Sequence, residues 1–195
     1  CELEFDKDKL YFVSVGRLHP VKGYDRLINV MIRIHRECPA AVLLILGAGD
    51  EQEKLQKKIE DNGAQEYIKL LGYQSNPYKY VSKCSIFICS SFMEGYSTSI
   101  SEAMILGNGI ISTDCGGSDQ LLENGKYGIL TENSEQGLED GIRKIINNPK
   151  SIETYRIFAQ KRAEELFDIQ ESVEDIQKIA FVCEGAYRGG RKNTD

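Results

Sequence analysis

Short apolar runs alternate along this chain with longer segments in which apolar residues recur at helical spacing. Each run predicts a buried strand, because a strand that is covered on both faces is apolar along its whole length. The segments between the runs predict helices with one apolar face. The predicted strands are 10–15, 41–46, 67–71, 85–89, 109–112 and 127–130. The predicted helices begin near residues 24, 50, 77, 98, 134, 149 and 170, and the last ends near residue 184.

Regular alternation of strands and helices predicts an α/β fold, a Rossmann-like parallel sheet of about six strands with helices on both faces. Ligands of such sheets bind at the carboxyl ends of the strands. Several glycines and charged residues directly follow predicted strands, so we expect them to lie on one rim of the sheet. They are Arg17, Lys22, Gly47, Gly49, Gly72, Glu94 and Gly116.

The stretch from Ser90 to Thr113 carries the strongest chemical signal. Its loop leads into a helix that we expect to start near Thr98, with Glu94 before the start and Glu102 about one turn inside. The free N–H groups and the dipole of a helix start attract anions. Carboxylates accept hydrogen bonds from the hydroxyls of a sugar. An anion flanked by hydroxyl-rich rings, a nucleoside diphosphate sugar, therefore suits this stretch.

Arg17 and Lys22 supply positive charge in the loop that follows the first strand. Both side chains suit phosphate oxygens, although two solvated charges in a surface loop are an equally good interpretation of these residues alone. The nearby Gly47-Ala-Gly49 turn fails as a dinucleotide-binding fingerprint, because residue 52 is Gln where the third glycine belongs. We therefore interpret it as a tight turn.

Composition narrows the choice of partners. The 195 residues suit one domain, and the net charge of −6 with a pI near 5.1 argues against nucleic-acid binding. The six cysteines and two histidines match no zinc pattern, and no Asp-x-Asp motif is present, so no metal is expected. Reduced thiols predict a cytoplasmic protein. No apolar run is long enough to span a membrane.

The chain begins at Cys1 and has the appearance of a fragment, with a domain over 1–184 and a disordered tail over 185–195.

The order of several motifs resembles the signature of the family 4 (group 1) retaining glycosyltransferases, whose fold is called GT-B. The resemblance covers roughly residues 10 to 165. The motifs are Val15-Gly16-Arg17-Leu18, Lys22-Gly23, Glu94-x7-Glu102, Ala103-Met104-x2-Gly107, Ile110-Ile111-Ser112-Thr113 and Gly116-Gly117-x3-Leu121-Leu122.

This resemblance implies one half of a GT-B fold, the C-terminal domain that binds the sugar donor. The full-length enzyme would transfer a sugar from a nucleoside diphosphate to a glycan or lipid-linked acceptor, without a metal or other cofactor. Its N-terminal acceptor domain is absent from these 195 residues, so we expect the chain alone to be inactive. The missing domain could contact the inner face of the membrane.

The resemblance also implies roles for individual residues. Arg17 and Lys22, beside Gly16, would hold the diphosphate and stabilise it as it leaves, and Glu94 would contact the transferred sugar near the reacting centre. Glu102 would hold the ribose diol. Backbone groups would complete the site, with base contacts near Gly72 and Tyr73 and contacts to sugar and phosphate from Gly95, Tyr96, Ser97 and Thr98.

Two other functions fit the same residues. A nucleotide-sugar epimerase of the same fold would need no separate acceptor. A non-enzymatic subunit would bind the donor without consuming it, in support of an active partner. A receiver domain is disfavoured because the first strand lacks the acidic cluster that such domains use.

Overall fold

All six predicted strands form, and they pair in one parallel sheet. The computed structural model describes residues 4–167, so the helix predicted over 170–184 and the tail over 185–195 lie outside the described residues. The strand order is β3-β2-β1-β4-β5-β6. The strands are β1 (Leu10–Val15), β2 (Ala41–Leu46), β3 (Ile68–Leu70), β4 (Ile86–Cys89), β5 (Gly109–Thr113) and β6 (Ile129–Thr131).

Seven helices connect or follow these strands within residues 4–167, and a short 3-10 turn over Pro20–Lys22 precedes the first helix. Judged by length and hydropathy, none of these helices could cross a membrane. The helices are α1 (Tyr24–Glu37), α2 (Gln52–Asp61), α3 (Tyr78–Val81), α4 (Thr98–Ile105), α5 (Gly117–Leu121), α6 (Glu135–Asn147) and α7 (Ser151–Leu166).

The sheet has an apolar core on each face. Successive side chains of a strand point to opposite faces, so Phe12 of β1 packs against the layer formed by α1, α2 and α6, whereas Val13 packs against α3, α4, α5 and α7. The β4 residues Phe87 and Ile88 divide in the same way. Helices therefore cover both faces, as the strand and helix alternation predicts.

Four strands have bounds that differ from the prediction. β4 covers Ile86–Cys89 instead of 85–89, and β5 covers Gly109–Thr113 instead of 109–112. β3 covers Ile68–Leu70 instead of 67–71, and β6 covers Ile129–Thr131 instead of 127–130. Tyr127 closes a turn, because its N–H donates to the carbonyl of Leu122. Thr131 instead pairs with Thr113 of β5. The partner strand decides where pairing stops, and apolar character alone does not show this.

The sheet changes its direction of winding between β1 and β4. These strands lie side by side in the middle of the sheet, with Phe12 opposite Ile86 and Val13 opposite Phe87. The connections from β1 and from β4 leave toward opposite faces, which opens a crevice at the carboxyl ends of the two strands. The loops of residues 16–23 and 90–97 border this crevice.

A buried carboxylate joins α1 to α6. Glu139 accepts hydrogen bonds from Arg33 (Nε, 2.7 Å) and from Arg143 (Nη2, 2.7 Å), and its side chain is 8% exposed. Arg143 also pairs with Glu37 at the end of α1. Burial opposes ionisation of Glu139, but the hydrogen bonds from the two arginines outweigh burial and lower its pKa. This network fixes the helix pair beneath one side of the rim.

We predict that Glu139→Gln destabilises the fold at neutral pH by about 1–3 kcal/mol, because it leaves two arginines without their shared carboxylate. Because the pKa of Glu139 is lowered in the folded state, its stabilisation is fully present at pH values above the ordinary Glu pKa. It is lost as the pH falls through the folded-state pKa. Urea unfolding across a pH series should thus show the two proteins converging in acid. Asp140→Asn, on the exposed face of α6, is the control. A stability gap that is independent of pH would contradict the prediction.

Candidate functional site

Two loops from distant parts of the chain form the centre of the rim. The N–H of Phe92 donates to the carbonyl of Val21 (2.7 Å), and the hydroxyl of Ser90 donates to the carbonyl of Lys22 (2.8 Å). The loop after β1 and the loop after β4 are therefore joined by backbone contacts at the crevice. The positions of their side chains follow from this junction.

Lys22 and Glu94 form an ion pair at this junction, although 72 residues separate them in sequence. Their side chains are 24% and 13% exposed, so solvent screens the pair only in part. The hydroxyl of Ser91 also donates to Glu94 (2.6 Å), and the Glu94 N–H donates to the carbonyl of Cys115 (2.7 Å). Glu94 is thus held on its side chain and its backbone, with the ammonium group beside its carboxylate.

Helix α4 starts where the sequence predicts, at Thr98. Ser97 is the N-cap, and its hydroxyl accepts from the N–H of Ile100. Thr98 and Tyr96 are exposed, and the Tyr96 hydroxyl accepts from Ser101 (3.3 Å). The helix start is therefore open on the solvent side of the crevice, beside the ion pair.

Glu102 lies one turn inside α4, where it meets Tyr78 of α3. The Tyr78 hydroxyl donates to Glu102 (3.2 Å). Burial raises the pKa of Glu102, while the hydrogen bond from Tyr78 acts in the opposite direction. Burial also raises the pKa of Tyr78, with a smaller effect from the nearby carboxylate. Tyr78 therefore orients Glu102, and the sequence analysis did not identify it.

A cavity of about 340 Å³ opens beside Arg17 at the ends of β1 and β2. Gly16, Gly47 and Pro77 line it, together with Tyr73, whose side chain is 78% exposed. Arg17 is exposed at the cavity and has no ion-pair partner among residues 4–167. The cavity lies in the size range of small-ligand sites, with a cation and an aromatic ring in its wall.

Glycine is required where backbones on the rim approach each other. Gly47 has φ +144°, and a side chain there would meet the carbonyl of Gly16 at 1.9 Å. A side chain at Gly117 would meet the carbonyl of Gly95 at 1.6 Å. Gly47 also donates its N–H to the carbonyl of Gly72 (2.8 Å). The tight turn predicted at Gly47 therefore exists, and it brings three strand ends together.

Arg26 supports the backbone of the loop after β4, and the sequence analysis did not identify it. Its guanidinium donates to the carbonyls of Ser90 (2.7 Å) and Ser91 (2.9 Å) and to the side-chain oxygen of Asn133 (2.7 Å). It also lies 3.8 Å from the ring centre of Phe92. The only sequence signal was its position next to the apolar face of α1, where a charge needs partners.

The structure gathers the predicted site residues along one rim. Lys22 and Glu94 meet at the centre, and α4 carries Thr98 and Glu102 on one side. The cavity beside Arg17 lies at the ends of β1 and β2. Among residues 4–167, no group of three or more His, Cys, Asp or Glu side chains is placed to hold a metal ion. The rim thus combines two cations, a helix start and two partly buried carboxylates.

Comparison with known proteins places this arrangement in a family. Residues 2–163 match the family model described as glycosyl transferases group 1. An uncharacterised glycosyltransferase of Methanocaldococcus jannaschii is 37% identical over 140 residues, 65% of this chain and 34% of the relative. A Campylobacter jejuni enzyme, N-acetylgalactosamine-N,N'-diacetylbacillosaminyl-diphospho-undecaprenol 4-alpha-N-acetylgalactosaminyltransferase, is 31% identical over 80% of this chain and 42% of its own length.

A solved structure gives the same result. The Anabaena protein HepE in complex with UDP superposes with a TM-score of 0.74 and 26% identity, over 91% of this chain and 49% of HepE. The chain therefore spans less than half the length of each of these three relatives.

We predict that NMR titration of the Glu102 carboxyl gives a pKa above the ordinary Glu value, because burial disfavours the charged form. Tyr78→Phe should raise this pKa further, because it removes a hydrogen bond that stabilises the charged carboxylate. Tyr80→Phe, two residues away, should leave it unchanged. Because the pKa of Glu102 is raised in the folded state, ionised Glu102 lowers the stability of the fold at pH values above the ordinary Glu pKa. This destabilisation disappears as the pH falls to the ordinary Glu pKa. A lower pKa in Tyr78→Phe would show that the tyrosine does not stabilise the charged form.

Proposed function

The chain belongs to the family of group 1 glycosyl transferases, and we propose that it is the donor-binding, C-terminal half of a family 4 retaining enzyme with a GT-B fold. The Lys22–Glu94 pair at the β1–β4 crevice is the observation that carries this proposal. It puts a cation for the leaving diphosphate and a carboxylate for the transferred sugar at one point. The missing length of the relatives would correspond to an N-terminal acceptor domain.

A uridine diphosphate sugar would lie along the rim in a single orientation. Its base would enter the cavity of about 340 Å³ near Gly72 and Tyr73. The ribose diol would meet Glu102, whose carboxylate has free lone pairs besides the one used by Tyr78. The diphosphate would then reach Arg17, Lys22 and the start of α4. The UDP complex of HepE supports the choice of uridine.

The sugar would occupy the space beside Glu94. Backbone groups of residues 95–98 would contact it together with the phosphates, because they lead into the open start of α4. During transfer the bond from the anomeric carbon to the phosphate oxygen breaks and a bond from that carbon to an acceptor hydroxyl oxygen forms. Negative charge grows on the diphosphate, which takes up the proton that the acceptor hydroxyl releases. Arg17, Lys22 and the helix start would stabilise that charge, which is the role that a metal performs in other enzymes. We therefore propose a reaction without a metal.

Lys22 can contact the diphosphate without leaving Glu94. Its ammonium is paired with Glu94, and an ammonium has three donors to distribute. A bound diphosphate would share this group with Glu94. The carboxylate then stays near the positive charge that develops on the transferred sugar.

The relatives and the cysteines support a proposal for the acceptor and for the cellular location. The name of the Campylobacter relative describes sugar transfer to a lipid-linked diphosphate, and we propose a glycan or lipid-linked acceptor of that general kind for this family member. Cys38, Cys84, Cys89 and Cys115 are free thiols, which supports a cytoplasmic location. The acceptor domain would bring the enzyme to the inner face of the membrane.

Transfer is favoured over the two other functions considered. The curated relatives described above are named as transferases, and neither is named as an epimerase or a silent subunit. An epimerase would complete its reaction on the donor alone. A silent subunit would bind the donor and leave it intact even when the acceptor domain is joined to it. Product analysis of the full-length protein separates all three.

We predict that the 195-residue chain binds UDP and UDP-sugars but transfers no sugar, because the proposed function assigns these residues to the donor half, and the chain spans less than half the length of the relatives described above. At 100 times its dissociation constant, a ligand adds about 2.7 kcal/mol, which should raise the melting temperature by about 5–10 °C. GDP-sugars and ADP-sugars are the controls and should give smaller shifts. Lack of any UDP-dependent shift, or sugar transfer by the chain alone at the full-length rate, would contradict the prediction.

A second prediction concerns the two cations. Arg17→Ala and Lys22→Ala should each weaken UDP binding by about 1.5–3 kcal/mol and affect uridine much less, since each removes a charge-assisted contact to phosphate. The loss for Lys22→Ala should be the larger, because it leaves the Glu94 carboxylate unpaired beside the diphosphate. Adding Glu94→Gln should recover part of the Lys22→Ala loss and none of the Arg17→Ala loss.

Calorimetry with UDP and uridine measures all of these variants. Lys144→Ala, near the far end of α6, controls for net charge alone. Equal losses for UDP and uridine would place the two cations away from the phosphates, and additive effects of Lys22→Ala and Glu94→Gln would show that the ion pair is irrelevant to donor binding.

A further inference from the structure

A second and larger cavity, of about 490 Å³, lies on the same rim of the sheet. Its wall comes from the loop after β1, the start of α2, the loop after β4 and the start of α6. It shares no lining residue with the cavity beside Arg17. The donor as placed above does not use this space, although its volume is typical of a small-ligand site.

Carboxylates dominate the charge in the wall of the second cavity. Asp25, Glu51 and Glu135 line it. Each is held by a cation, through Lys58 to Asp25 (2.8 Å), Lys54 to Glu51 (2.8 Å) and Arg33 to Glu135 (2.9 Å). A carboxylate accepts about four hydrogen bonds, so each keeps acceptor capacity for a ligand. The wall is therefore ordered and rich in acceptors.

Both cations in the wall have protein partners. Arg26 lines the cavity, and its Nε and Nη2 groups donate to the Ser90 and Ser91 carbonyls and to Asn133. Lys54 is the other cation in the lining, and it is paired with Glu51. Three carboxylates and two cations line the cavity, so an anionic ligand would meet a net negative wall, which disfavours a phosphate or a second nucleotide. A neutral ligand with many hydroxyl donors fits these acceptors.

Phe92 supplies an apolar surface next to the carboxylates. Its side chain is 53% exposed, and the guanidinium of Arg26 stacks on the ring at 3.8 Å. The stacked guanidinium and the hydrogen bond from the Phe92 N–H to Val21 fix the residue in position. A sugar ring presents C–H groups on its faces and hydroxyls around its edge. A fixed aromatic ring flanked by acceptors matches both features.

We propose that this cavity binds a neutral saccharide, the glycan portion of the acceptor. This inference rests on the proposed function, because it assigns the acceptor's sugar units to a place on the donor-binding domain. Phe92 lies two residues before Glu94, and Ser91 contacts both Arg26 and Glu94. A saccharide held against Phe92 thus lies on the far side of a short, fixed loop from the carboxylate proposed to meet the transferred sugar.

The test is an NMR titration of the isotope-labelled 195-residue chain, saturated with UDP, with maltose, cellobiose and chitobiose. We expect at least one disaccharide to shift the amide signals of Asp25, Phe92 and Glu135 saturably. Phe92→Ala should weaken that binding by about tenfold, and Phe92→Tyr should preserve it. Phe158→Ala, at a partly exposed phenylalanine of α7, should have no effect. UDP affinity should be the same in all four proteins.

Three results would overturn the inference. The first is that none of the disaccharides gives a saturable shift. The second is a saturable shift that Phe92→Ala does not weaken. The third is a Phe92-dependent shift caused by a lysine-rich peptide instead of a sugar. Melting curves of each variant exclude loss of folding. UDP binding is recorded in the same samples, so failure of the donor site and failure of the saccharide site are separate observations.

Discussion

The parallel pairing of β1 with β4 is the constraint on which the rest of this structure depends. It places the ends of two strands side by side, and each strand end continues into a loop that carries site residues. Lys22 and Glu94 meet for this reason alone, across 72 residues of sequence. Because neighbouring strands lie about 4.8 Å apart, short contacts between backbone and hydroxyl groups are enough to join the two loops.

Local charge, and not the total charge of the protein, makes the rim suitable for an anion. The chain carries a net charge of −6, which repels a diphosphate at long range. Arg17 and Lys22 oppose this repulsion at one place, next to the open start of α4. Glu94 keeps Lys22 in position through their ion pair. The ion pair is only partly exposed, so its charges act on each other and on a ligand with little screening.

The rim is rigid because small and buried residues fix its backbone. Gly47 and Gly117 permit approaches that no side chain would allow, and they bring the strand ends and α5 against the neighbouring loops. Arg26 acts from inside the protein, where it satisfies the buried carbonyl of Ser90 and joins the Thr113 hydroxyl at the carbonyl of Ser91. The same arginine supports Phe92, so one buried cation supports both the loop that carries Glu94 and the second cavity.

Much of the fold and part of the site follow from the sequence alone. Buried strands such as β2 are apolar throughout, α4 starts at Thr98 as expected, and strand–helix alternation implies a parallel sheet. These features are local, so short segments determine them. The tertiary structure alone decided the strand order, and with it the pairing of Lys22 with Glu94, the contact of Tyr78 with Glu102 and the burial of Arg26. Each of these contacts joins residues that are distant in sequence. No local pattern determines which distant group becomes the hydrogen-bond or ion-pair partner of a polar side chain.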